Sequence, residues 1–303
     1  MQDILIVGAG TAGLTAAIYA ARAGKIVTVL ENEAVGGQIA TSPQVENYPG
    51  FESISGAEFS DRLFTQATAL GVSVELEKAQ AVRVQDGVFT VETGSESYSA
   101  RALILATGVK HRRLGLAEEA SYLGRGLSYC AVCDGAFFKN RTVAVVGGGN
   151  AALQSAIYLA DVAEKVYLIH RRTQYRAEEA VIRAMEAKPN IEPVLNKTVA
   201  SLSGEPLLQS LTLCDTQTGD KSELPVNGVF VSIGKVPAND FCRDLVKLDA
   251  AGFIVADESC KTNVPGLFAA GDCRTKSVRQ LTTAASDGSI AALAACDYLN
   301  ANA

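Results

Sequence analysis

The stretch that decides the fold is Gly8-Ala9-Gly10-Thr11-Ala12-Gly13, which directly follows the apolar run Ile4-Leu5-Ile6-Val7. The apolar run predicts a short buried strand. Residues 14–23 are rich in alanine and predict a helix, and Gly24 is a favourable residue just past a helix end. Residues 26–30 are mostly β-branched and predict a second strand. This order of strand, glycine loop, helix and strand is typical of a dinucleotide-binding βαβ unit.

Each glycine of this loop has a physical reason to be there. Gly8 permits the tight turn, Gly10 lets the backbone approach a pyrophosphate, and Gly13 lets the helix pack closely against the strand. The free N–H groups and the dipole at the start of the helix attract an anion. Glu31 closes the second strand, where a carboxylate accepts hydrogen bonds from ribose hydroxyls.

The same pattern returns in the middle of the chain. Residues 142–146 predict a strand, and the loop Gly147-Gly148-Gly149-Asn150-Ala151-Ala152 follows it. Residues 151–160 predict the helix, and residues 165–169 predict the second strand. The spacing from the first loop glycine to the residue that closes the second strand is the same in both repeats. The repeat predicts an α/β protein with two Rossmann-like dinucleotide-binding domains.

The second unit has no acid at the end of its second strand. His170-Arg171-Arg172 stands there, and Arg176 follows shortly after. Guanidinium groups bind a 2′-phosphate, which a carboxylate would repel. The cluster therefore predicts NADPH rather than NADH. A solvated basic patch is the alternative, which the position at the ribose end of the unit disfavours.

Residues outside the two units predict further strands and one long helix. Asp86-Gly87 is a turn pair that suits a hairpin between residues 81–84 and 88–91. The other predicted elements are a buried strand at 102–106, strands at 211–213 and 229–233 in a second sheet insert, a strand at 266–270 and a helix at about 281–299.

Two cysteines lie between the two glycine loops, in Cys130-Ala131-Val132-Cys133-Asp134. One helical turn can bring sulfurs at this spacing within disulfide geometry, and one thiol of such a motif is often acidified. Asp134 could give a proton to a leaving thiolate, and helix capping is the alternative. A structural zinc site needs four ligands, and the only histidines are His111 and His170, so we predict no metal.

Length and composition limit the classes of protein. The 303 residues are enough for two domains, and the net charge of −6 argues against a nucleic-acid partner. No apolar run approaches the roughly 18 residues of a membrane span. Seven scattered cysteines are unlike the framework of a secreted protein, so we expect a cytoplasmic location. We interpret the five cysteines outside the C-x-x-C motif, Cys273 included, as small apolar residues.

A series of short motifs carries a resemblance to a known family. Besides the two loops, the cysteine motif and residues 170–176, they are Gly-Gly-Gln at 36–38, Glu-Asn-Tyr-Pro-Gly at 46–50, Ala-Thr-Gly at 106–108, Gly-Arg-Gly at 124–126, Ala-Ala-Gly-Asp at 269–272 and Arg-Gln at 279–280. With this set in this order, the chain closely resembles the bacterial-type, low-molecular-weight, NADPH-dependent thioredoxin reductases over essentially its whole length.

The resemblance implies FAD in the first unit and NADPH in the second. The implied FAD-binding residues are Gly8, Gly10, Thr11, Ala12, Gly13, Glu31, Gly37, Gln38, Asn47, Thr107, Gly108, Gly271, Asp272, Arg279 and Gln280. The implied NADPH-binding residues are Gly149, Asn150, Ala151, Ala152, His170, Arg171, Arg172 and Arg176. The family often has a hydroxyl residue where this chain has Ala151, which could weaken one phosphate contact.

The resemblance also implies roles for the dithiol. Cys133 is expected to face the flavin, Cys130 to attack a disulfide of thioredoxin or a thioredoxin-like protein, and Asp134 to supply a proton. Residues 1–113 and 244–303 are expected to form a discontinuous FAD domain, with an NADPH domain of residues 114–243 inserted in it. Members of the family are homodimers in which the nicotinamide domain rotates between two orientations.

Three alternatives use the same motifs. A flavin-dependent dithiol oxidase would pass electrons to oxygen, but such relatives lack a working nicotinamide site, which the basic cluster at 170–176 supplies here. A non-catalytic flavin redox sensor would show no steady-state NADPH turnover with a disulfide acceptor. The reductase component of a peroxidase system usually carries an extra N-terminal domain, whereas this chain starts at the first predicted strand.

Overall fold

The computed structural model describes residues 1–42 and 44–302. Its strands are β1 (Gln2–Val7), β2 (Val27–Leu30), β3 (Ser73–Glu75), β4 (Ala81–Gln85), β5 (Val88–Glu92), β6 (Ser97–Leu105), β7 (Val109–His111), β8 (Leu127–Ser128), β9 (Thr142–Val146), β10 (Lys165–His170), β11 (Ile191–Leu195), β12 (Lys197–Ser203), β13 (Ser210–Asp215), β14 (Lys221–Pro225), β15 (Gly228–Val231), β16 (Lys235–Pro237) and β17 (Leu267–Ala269). Its α-helices are α1 (Thr11–Arg22), α2 (Gly56–Thr68), α3 (Ala131–Asp134), α4 (Asn150–Ala160), α5 (Glu179–Glu186) and α6 (Leu281–Ala301). Five short 3₁₀ helices begin at residues 37, 119, 135, 240 and 271.

The described residues form two compact units. Unit 1 comprises Met1–Lys110 and the described residues from Val236 onward, and unit 2 comprises His111–Lys235. Unit 2 therefore lies in sequence between the two parts of unit 1. The chain passes from one unit to the other at β7 and again at β16, and these two short strands pair with each other.

Unit 1 is built on a seven-stranded sheet of order β3-β2-β1-β6-β5-β4, with β17 also paired to β6. Side chains of β1 alternate between two cores, as the pleat of a strand requires. Ile4 and Ile6 join the core that includes α1 and α6, whereas Leu5 and Val7 join the core that includes Phe89 of β5. Both faces of the central strands are therefore covered, which is why these strands are continuously apolar.

Unit 2 contains a five-stranded parallel sheet of order β11-β10-β9-β15-β8. Val143 and Val145 of β9 pack into the core that includes α4. Ala144 and Val146 pack into a second core with Leu211 of the antiparallel sheet β12-β13-β14. The same alternation thus buries both faces of the second nucleotide-binding sheet.

The predicted internal repeat is confirmed. β1, α1 and β2 form one βαβ unit, and β9, α4 and β10 form the other, with parallel strands in both. The predicted hairpin is also present as β4 and β5. Asp86 and Gly87 have φ values of 51° and 77°, the left-handed pair that a type I′ turn requires.

One predicted strand lies in a different sheet. Residues 229–233 are expected in the sheet insert, but β15 lies between β9 and β8 in the parallel sheet of unit 2. All four residues of β15 are buried, as in a strand covered on both faces. Gly228 allows this close packing, because a Cβ there would lie 2.3 Å from Cε1 of Phe138.

The borders of the units also differ from the predicted domain bounds. The structure divides after Lys110 and after Lys235, whereas the prediction divides after residues 113 and 243. Residues 236–243 belong to unit 1 because Asn239 and Cys242 are buried there. The Nδ2 atom of Asn239 donates to the carbonyls of Gly252 and Cys273, at 2.9 and 3.0 Å.

The long C-terminal helix α6 packs along α1 in unit 1. A Cβ on Gly288 would lie only 2.3 Å from the carbonyl oxygen of Ala12, so glycine lets the two helices approach closely. Alanine-rich faces on both helices serve the same purpose. Within the described residues, no helix combines the length and apolar character that crossing a membrane requires.

A buried ionic cluster joins α6 to the segment that follows β17. The Asp287 carboxylate accepts hydrogen bonds from Nε and Nη2 of Arg274, Nζ of Lys276 and the amide of Gly271, all at 2.8–2.9 Å. Burial opposes ionisation of Asp287, but the hydrogen bonds from Arg274 and Lys276 hold its pKa below the usual range. Asp287 and Arg274 are each 4% exposed, so neither charge has water as a substitute partner.

Replacement of Asp287 by asparagine tests this cluster. We expect Asp287→Asn to lower the free energy of unfolding by about 3–5 kcal/mol, because two buried cations lose their countercharge. Urea unfolding followed by circular dichroism measures the change. Asp297→Asn, at an exposed position of the same helix, should stay within about 0.5 kcal/mol of the parent chain. Equal losses in the two variants would contradict the assignment.

Candidate dinucleotide sites and redox disulfide

The first glycine loop leaves the start of α1 open. Gly10 is the N-cap residue, its backbone is extended, and no side chain caps the helix. The amide of Leu14 donates to the carbonyl of Gly10 at 2.9 Å and closes the first turn. The N–H groups of that turn and the helix dipole therefore remain available to an anion. This end of α1 fits a pyrophosphate, as the sequence predicts.

Close packing explains two of the loop glycines. Gly8 has a φ of 110°, and a Cβ there would lie 2.3 Å from the carbonyl oxygen of Ala106. A Cβ on Gly13 would lie 1.8 Å from the carbonyl oxygen of Gly8. Gly10 is different, because its nearest neighbours in the protein would be 3.9–4.0 Å from a Cβ. The absence of a side chain at Gly10 therefore leaves the space in front of the N-terminus of α1 open.

Glu31 ties this loop to the end of β2. Its Oε2 accepts a hydrogen bond from the amide of Ala9 at 2.7 Å, and its Oε1 accepts one from the amide of Glu33 at 2.9 Å. The glycines at 36 and 37 complete the loop: the Gly36 amide donates to the carbonyl of Ala9 at 2.8 Å. The predicted contact of Glu31 with a ribose stays a prediction, for which each oxygen keeps a further lone pair.

The predicted residues at the ends of β6 and β17 meet the same loop. A Cβ on Gly8 would lie 3.2 Å from the amide nitrogen of Thr107, and one on Gly271 would lie 2.8 Å from Cβ of Ala12. The Thr107 hydroxyl donates to Oδ1 of Asn239 at 2.8 Å, which fixes its orientation. Gly37 is equally close, since its Cβ would lie 3.3 Å from Cα of Gly10.

Four further predicted FAD residues form two pairs. Nε of Arg279 donates to the carbonyl of Asp272 at 3.3 Å, and its guanidinium lies 4.3 Å from the ring centre of Phe253. Nδ2 of Asn47 donates to Oε1 of Gln280 at 3.3 Å. The Asn47–Gln280 hydrogen bond joins the two sequence segments of unit 1, and the contacts of these four residues with FAD stay predictions.

The second glycine loop repeats this geometry in unit 2. Gly149 is the N-cap of α4, with extended backbone and no side-chain cap, and nothing lies within 4 Å of a Cβ placed there. Gly148 has another role, since a Cβ would lie 2.2 Å from the ring of His170. Gly147 likewise lies against Ala152, with a Cβ 2.6 Å from Cβ of that residue. The loop thus presents an open N-terminus that fits a second pyrophosphate.

His170 packs its ring against Gly148 of the second glycine loop. It is 7% exposed, its Nε2 lies 3.0 Å from the carbonyl of Gln174, and its ring stacks on Tyr175. Burial lowers the pKa of its ring, although the hydrogen bond with Gln174 opposes this. Its predicted contact with NADPH stays a prediction.

The arginines of the cluster are exposed, unlike His170. The amide of Arg176 donates to the carbonyl of Gly148 at 2.6 Å, which places this residue beside the second loop. Asn150 has an additional partner: its side chain exchanges two hydrogen bonds of 2.8 Å with Glu178. It thereby satisfies the N-cap amide of α5, a role that the loop motif does not reveal.

Cys130 and Cys133 form a disulfide in unit 2, with their Cα atoms 5.3 Å apart. Cys130 is the N-cap of α3, and its Sγ accepts a hydrogen bond from the amide of Cys133 at 3.2 Å. Both cysteines are half-buried, and the intervening Val132 is 50% exposed. The turn that carries the disulfide is therefore partly exposed, and the contact with the Cys133 amide orients Sγ of Cys130.

Asp134 lies at the end of the same turn and has the properties of a proton carrier. Burial raises the pKa of its carboxyl, although a hydrogen bond from the Ser128 hydroxyl to Oδ2, at 2.5 Å, opposes the rise. Its Oδ1 is buried and accepts no hydrogen bond from any described residue. Asp134 is the N-cap residue of the 3₁₀ helix Gly135–Phe138, but its side chain makes no capping hydrogen bond there, so the helix-capping alternative does not fit.

The other five cysteines are free thiols. Burial raises the pKa of Cys242 and of Cys260 to about 12, and burial also raises the pKa of Cys273. Thiols with such pKa values are poor nucleophiles at neutral pH. Residues 1–42 and 44–302 hold no group of three or more His, Cys, Asp or Glu arranged to bind a metal ion.

Sequence reasoning missed three residues that shape these sites: Ser128, Gly148 and Asn239. Each makes a contact that the sequence motifs do not indicate, such as the hydrogen bond that Asn239 accepts from the Thr107 hydroxyl. Ser128 gave the clearest signal, since it stands only two residues before the cysteine motif. A polar residue this close to a reactive motif is worth testing as a hydrogen-bond partner of the reacting groups.

The chain belongs to the pyridine nucleotide-disulphide oxidoreductase family, whose model matches residues 2–288. Among its relatives is the thioredoxin reductase of Treponema pallidum, 44% identical over 98% of this chain and 97% of the relative. The thioredoxin reductase of Listeria innocua is 43% identical over 99% of this chain and 94% of the relative. The crystal structure of thioredoxin reductase from Streptococcus pyogenes is 38% identical, with a TM-score of 0.95 and 99% of both chains covered.

Two glycine substitutions in the first loop test the packing described above. We expect Gly13→Ala to lower the free energy of unfolding by about 2–3 kcal/mol, because its Cβ would collide with the carbonyl of Gly8. Gly10→Ala should cost less than about 1 kcal/mol, the loss from a poorer N-cap residue. Urea unfolding of the protein without added dinucleotide measures both. A larger loss in Gly10→Ala than in Gly13→Ala would contradict the packing.

Proposed function

We propose that this protein is an NADPH-dependent thioredoxin-disulfide reductase. The observation that carries the proposal is the Cys130–Cys133 disulfide, half-buried and one residue away from the buried, partly unpartnered carboxyl of Asp134. Two open helix N-termini, one in each unit, accompany it. The names of the relatives support the same activity.

We assign FAD to unit 1 and NADPH to unit 2. The residues around Gly10, with Glu31, Asp272 and the Asn47–Gln280 pair, would hold FAD. The residues around Gly149, with the exposed arginines at 171, 172 and 176, would hold NADPH. When bound, FAD supplies a carrier that accepts two electrons as hydride and delivers them to a disulfide.

The protein's own residues then perform dithiol–disulfide exchange. After two-electron reduction, the Cys130 thiolate attacks one sulfur of the partner disulfide and displaces the other as a thiolate. The displaced thiolate takes a proton from Asp134. Cys133 then gives its proton to the Asp134 carboxylate and attacks Cys130 in the mixed disulfide. This restores the Cys130–Cys133 bond and displaces the second partner thiolate, which takes that proton from Asp134. The net result is one disulfide formed, one disulfide reduced and no change in total electrons.

Thioredoxin or a thioredoxin-like protein is the proposed partner, because exchange at an accessible disulfide needs a partner with its own accessible disulfide. We further propose that the protein is a homodimer and acts in the cytoplasm. A reducing compartment agrees with five free cysteines alongside a single disulfide. A size measurement by light scattering tests the dimer independently of the activity.

Cys130→Ser tests the proposed chemistry. We expect it to abolish NADPH-dependent reduction of thioredoxin, because the attacking thiolate is gone, while NADPH still bleaches the flavin under argon. Stopped-flow absorbance and a thioredoxin-coupled assay measure the two steps separately. Cys214→Ser, at a free cysteine away from the disulfide, should leave both steps unchanged. Unchanged thioredoxin reduction in Cys130→Ser would contradict the proposal.

Arg176→Ala tests the nucleotide assignment. The backbone of Arg176 is held beside the second loop, which supports the proposed contact of its guanidinium with a 2′-phosphate. We expect the kcat/KM for NADPH to fall by about 10–100-fold, as for the loss of one hydrogen bond between charged groups. The kcat/KM for NADH, which has no 2′-phosphate, should not change.

Arg183→Ala is the matched control for that substitution. Arg183 is an exposed arginine of α5 in the same unit and pairs with Glu179 at 3.8 Å, one helical turn away. Its replacement should leave both nucleotides unaffected. An equal loss for NADPH and NADH in Arg176→Ala would show that the arginine does not recognise the phosphate.

A further inference from the structure

Ser128 is a buried hydroxyl between the two reactive elements of the disulfide turn. It ends β8, is 3% exposed, and its Oγ accepts a hydrogen bond from the Cys130 amide at 3.0 Å. The same hydroxyl donates to Oδ2 of Asp134 at 2.5 Å, and the carbonyl of Cys130 lies 3.3 Å away as a second acceptor. The hydroxyl of Ser128 thus contacts both the amide and the carbonyl of Cys130, and also the carboxylate of Asp134.

We propose that Ser128 is a positioning residue that sets the pH at which Asp134 releases its proton during dithiol–disulfide exchange. This inference rests on the proposed function. The inference also goes beyond the proposed function, because a reductase could use Asp134 as a proton donor without a serine that controls its pKa.

The hydroxyl of Ser128 has a single proton, and the protonation state of Asp134 decides which acceptor receives it. When Asp134 is ionised, the hydroxyl donates to its Oδ2, the shorter of the two contacts. When Asp134 is protonated at Oδ2, that group can donate to Oγ of Ser128, and the hydroxyl proton turns to the carbonyl of Cys130. Both states satisfy every donor, and the first stabilises the carboxylate. Asp134 can instead be protonated at Oδ1, which has no described partner, while the hydroxyl still donates to Oδ2, and this is the proton that would pass to sulfur.

Among the described residues, the elements that pack most closely against α3 carry no charged side chain, and reduction adds the thiols of Cys130 and Cys133 as titratable groups of the same turn. Those elements are α4 and the 3₁₀ helix Gly135–Phe138. Tyr158 is the one titratable side chain of α4, and the 3₁₀ helix has none. The pKa of Asp134 is therefore controlled by burial, which raises it, and by Ser128, which lowers it.

The opposing effects of burial and of Ser128 on the pKa of Asp134 determine the direction of the expected change. Loss of the hydroxyl removes the group that favours the carboxylate, so the pKa of Asp134 should rise further in Ser128→Ala. We expect a rise of about one to two pH units, the shift that corresponds to one hydrogen bond to a charged group. Ser128→Thr keeps the hydroxyl and should keep the parent value.

The first measurement is the pH profile of thioredoxin reduction by the pre-reduced holoenzyme in single turnover. The limb that belongs to Asp134 is the one that disappears in Asp134→Asn. That limb should move to higher pH in Ser128→Ala and stay in place in Ser128→Thr. In the Asp134→Asn background, Ser128→Ala should have no further effect on the profile, because the serine acts through the aspartate.

The matched control is Ser210→Ala. Ser210 is also buried and also donates to a carboxylate, Oε1 of Glu223 at 2.7 Å, but it lies in β13. Its replacement should leave the limb where it is. A limb that moves equally in Ser210→Ala and Ser128→Ala would overturn the proposal, since any buried serine would then have the same effect.

The second measurement follows the Asp134 carboxyl directly by ¹³C NMR in aspartate-labelled holoprotein, with the signal assigned by its absence in Asp134→Asn. Its midpoint should rise in Ser128→Ala, and an unchanged midpoint would overturn the role of Ser128. This titration needs no partner protein. A parent chain that fails to reduce thioredoxin would instead refute the proposed function, so the two failures are told apart.

Discussion

The bond between Cys130 and Cys133 is the feature on which the rest of the account depends. Its two sulfurs must be close enough to bond, exposed enough to meet a partner, and near a group that can hold a proton. One short helical turn meets all three needs, because Asp134 follows the second cysteine directly and is half-buried at the end of the turn. Every other assignment concerns how electrons reach this bond and how protons leave it.

Close packing at the glycine loops forms the two dinucleotide sites that would deliver electrons to the Cys130–Cys133 bond. In each unit a glycine-rich loop lets the helix of the βαβ repeat begin directly after its first strand, with no side chain capping the N-terminal amides. The two loops use their glycines differently in detail. In unit 1 the tight contacts are between backbone atoms, as at Gly8 and Gly13, whereas in unit 2 Gly148 makes room for the ring of His170.

Much of this could be predicted from the sequence, because local patterns decided it. The two βαβ repeats, the hairpin at Asp86-Gly87 and the disulfide spacing depend on residues near one another in the chain. The sheet of β15 and the unit borders depend on long-range packing, such as Phe138 over Gly228 and the bonds of Asn239. A motif could not show that His170 is buried or that Ser128 contacts Asp134, since both facts concern side-chain orientation.

The central claim is that electrons from NADPH reach the sulfur–sulfur bond, and counting thiols tests it most directly. The protein is denatured and alkylated before and after reduction by NADPH under argon, and the labels are counted by mass spectrometry. The account predicts five labelled cysteines before reduction, the free thiols of the structure. It predicts all seven cysteines of the chain to be labelled afterwards. Five labels after NADPH has bleached the flavin would contradict it.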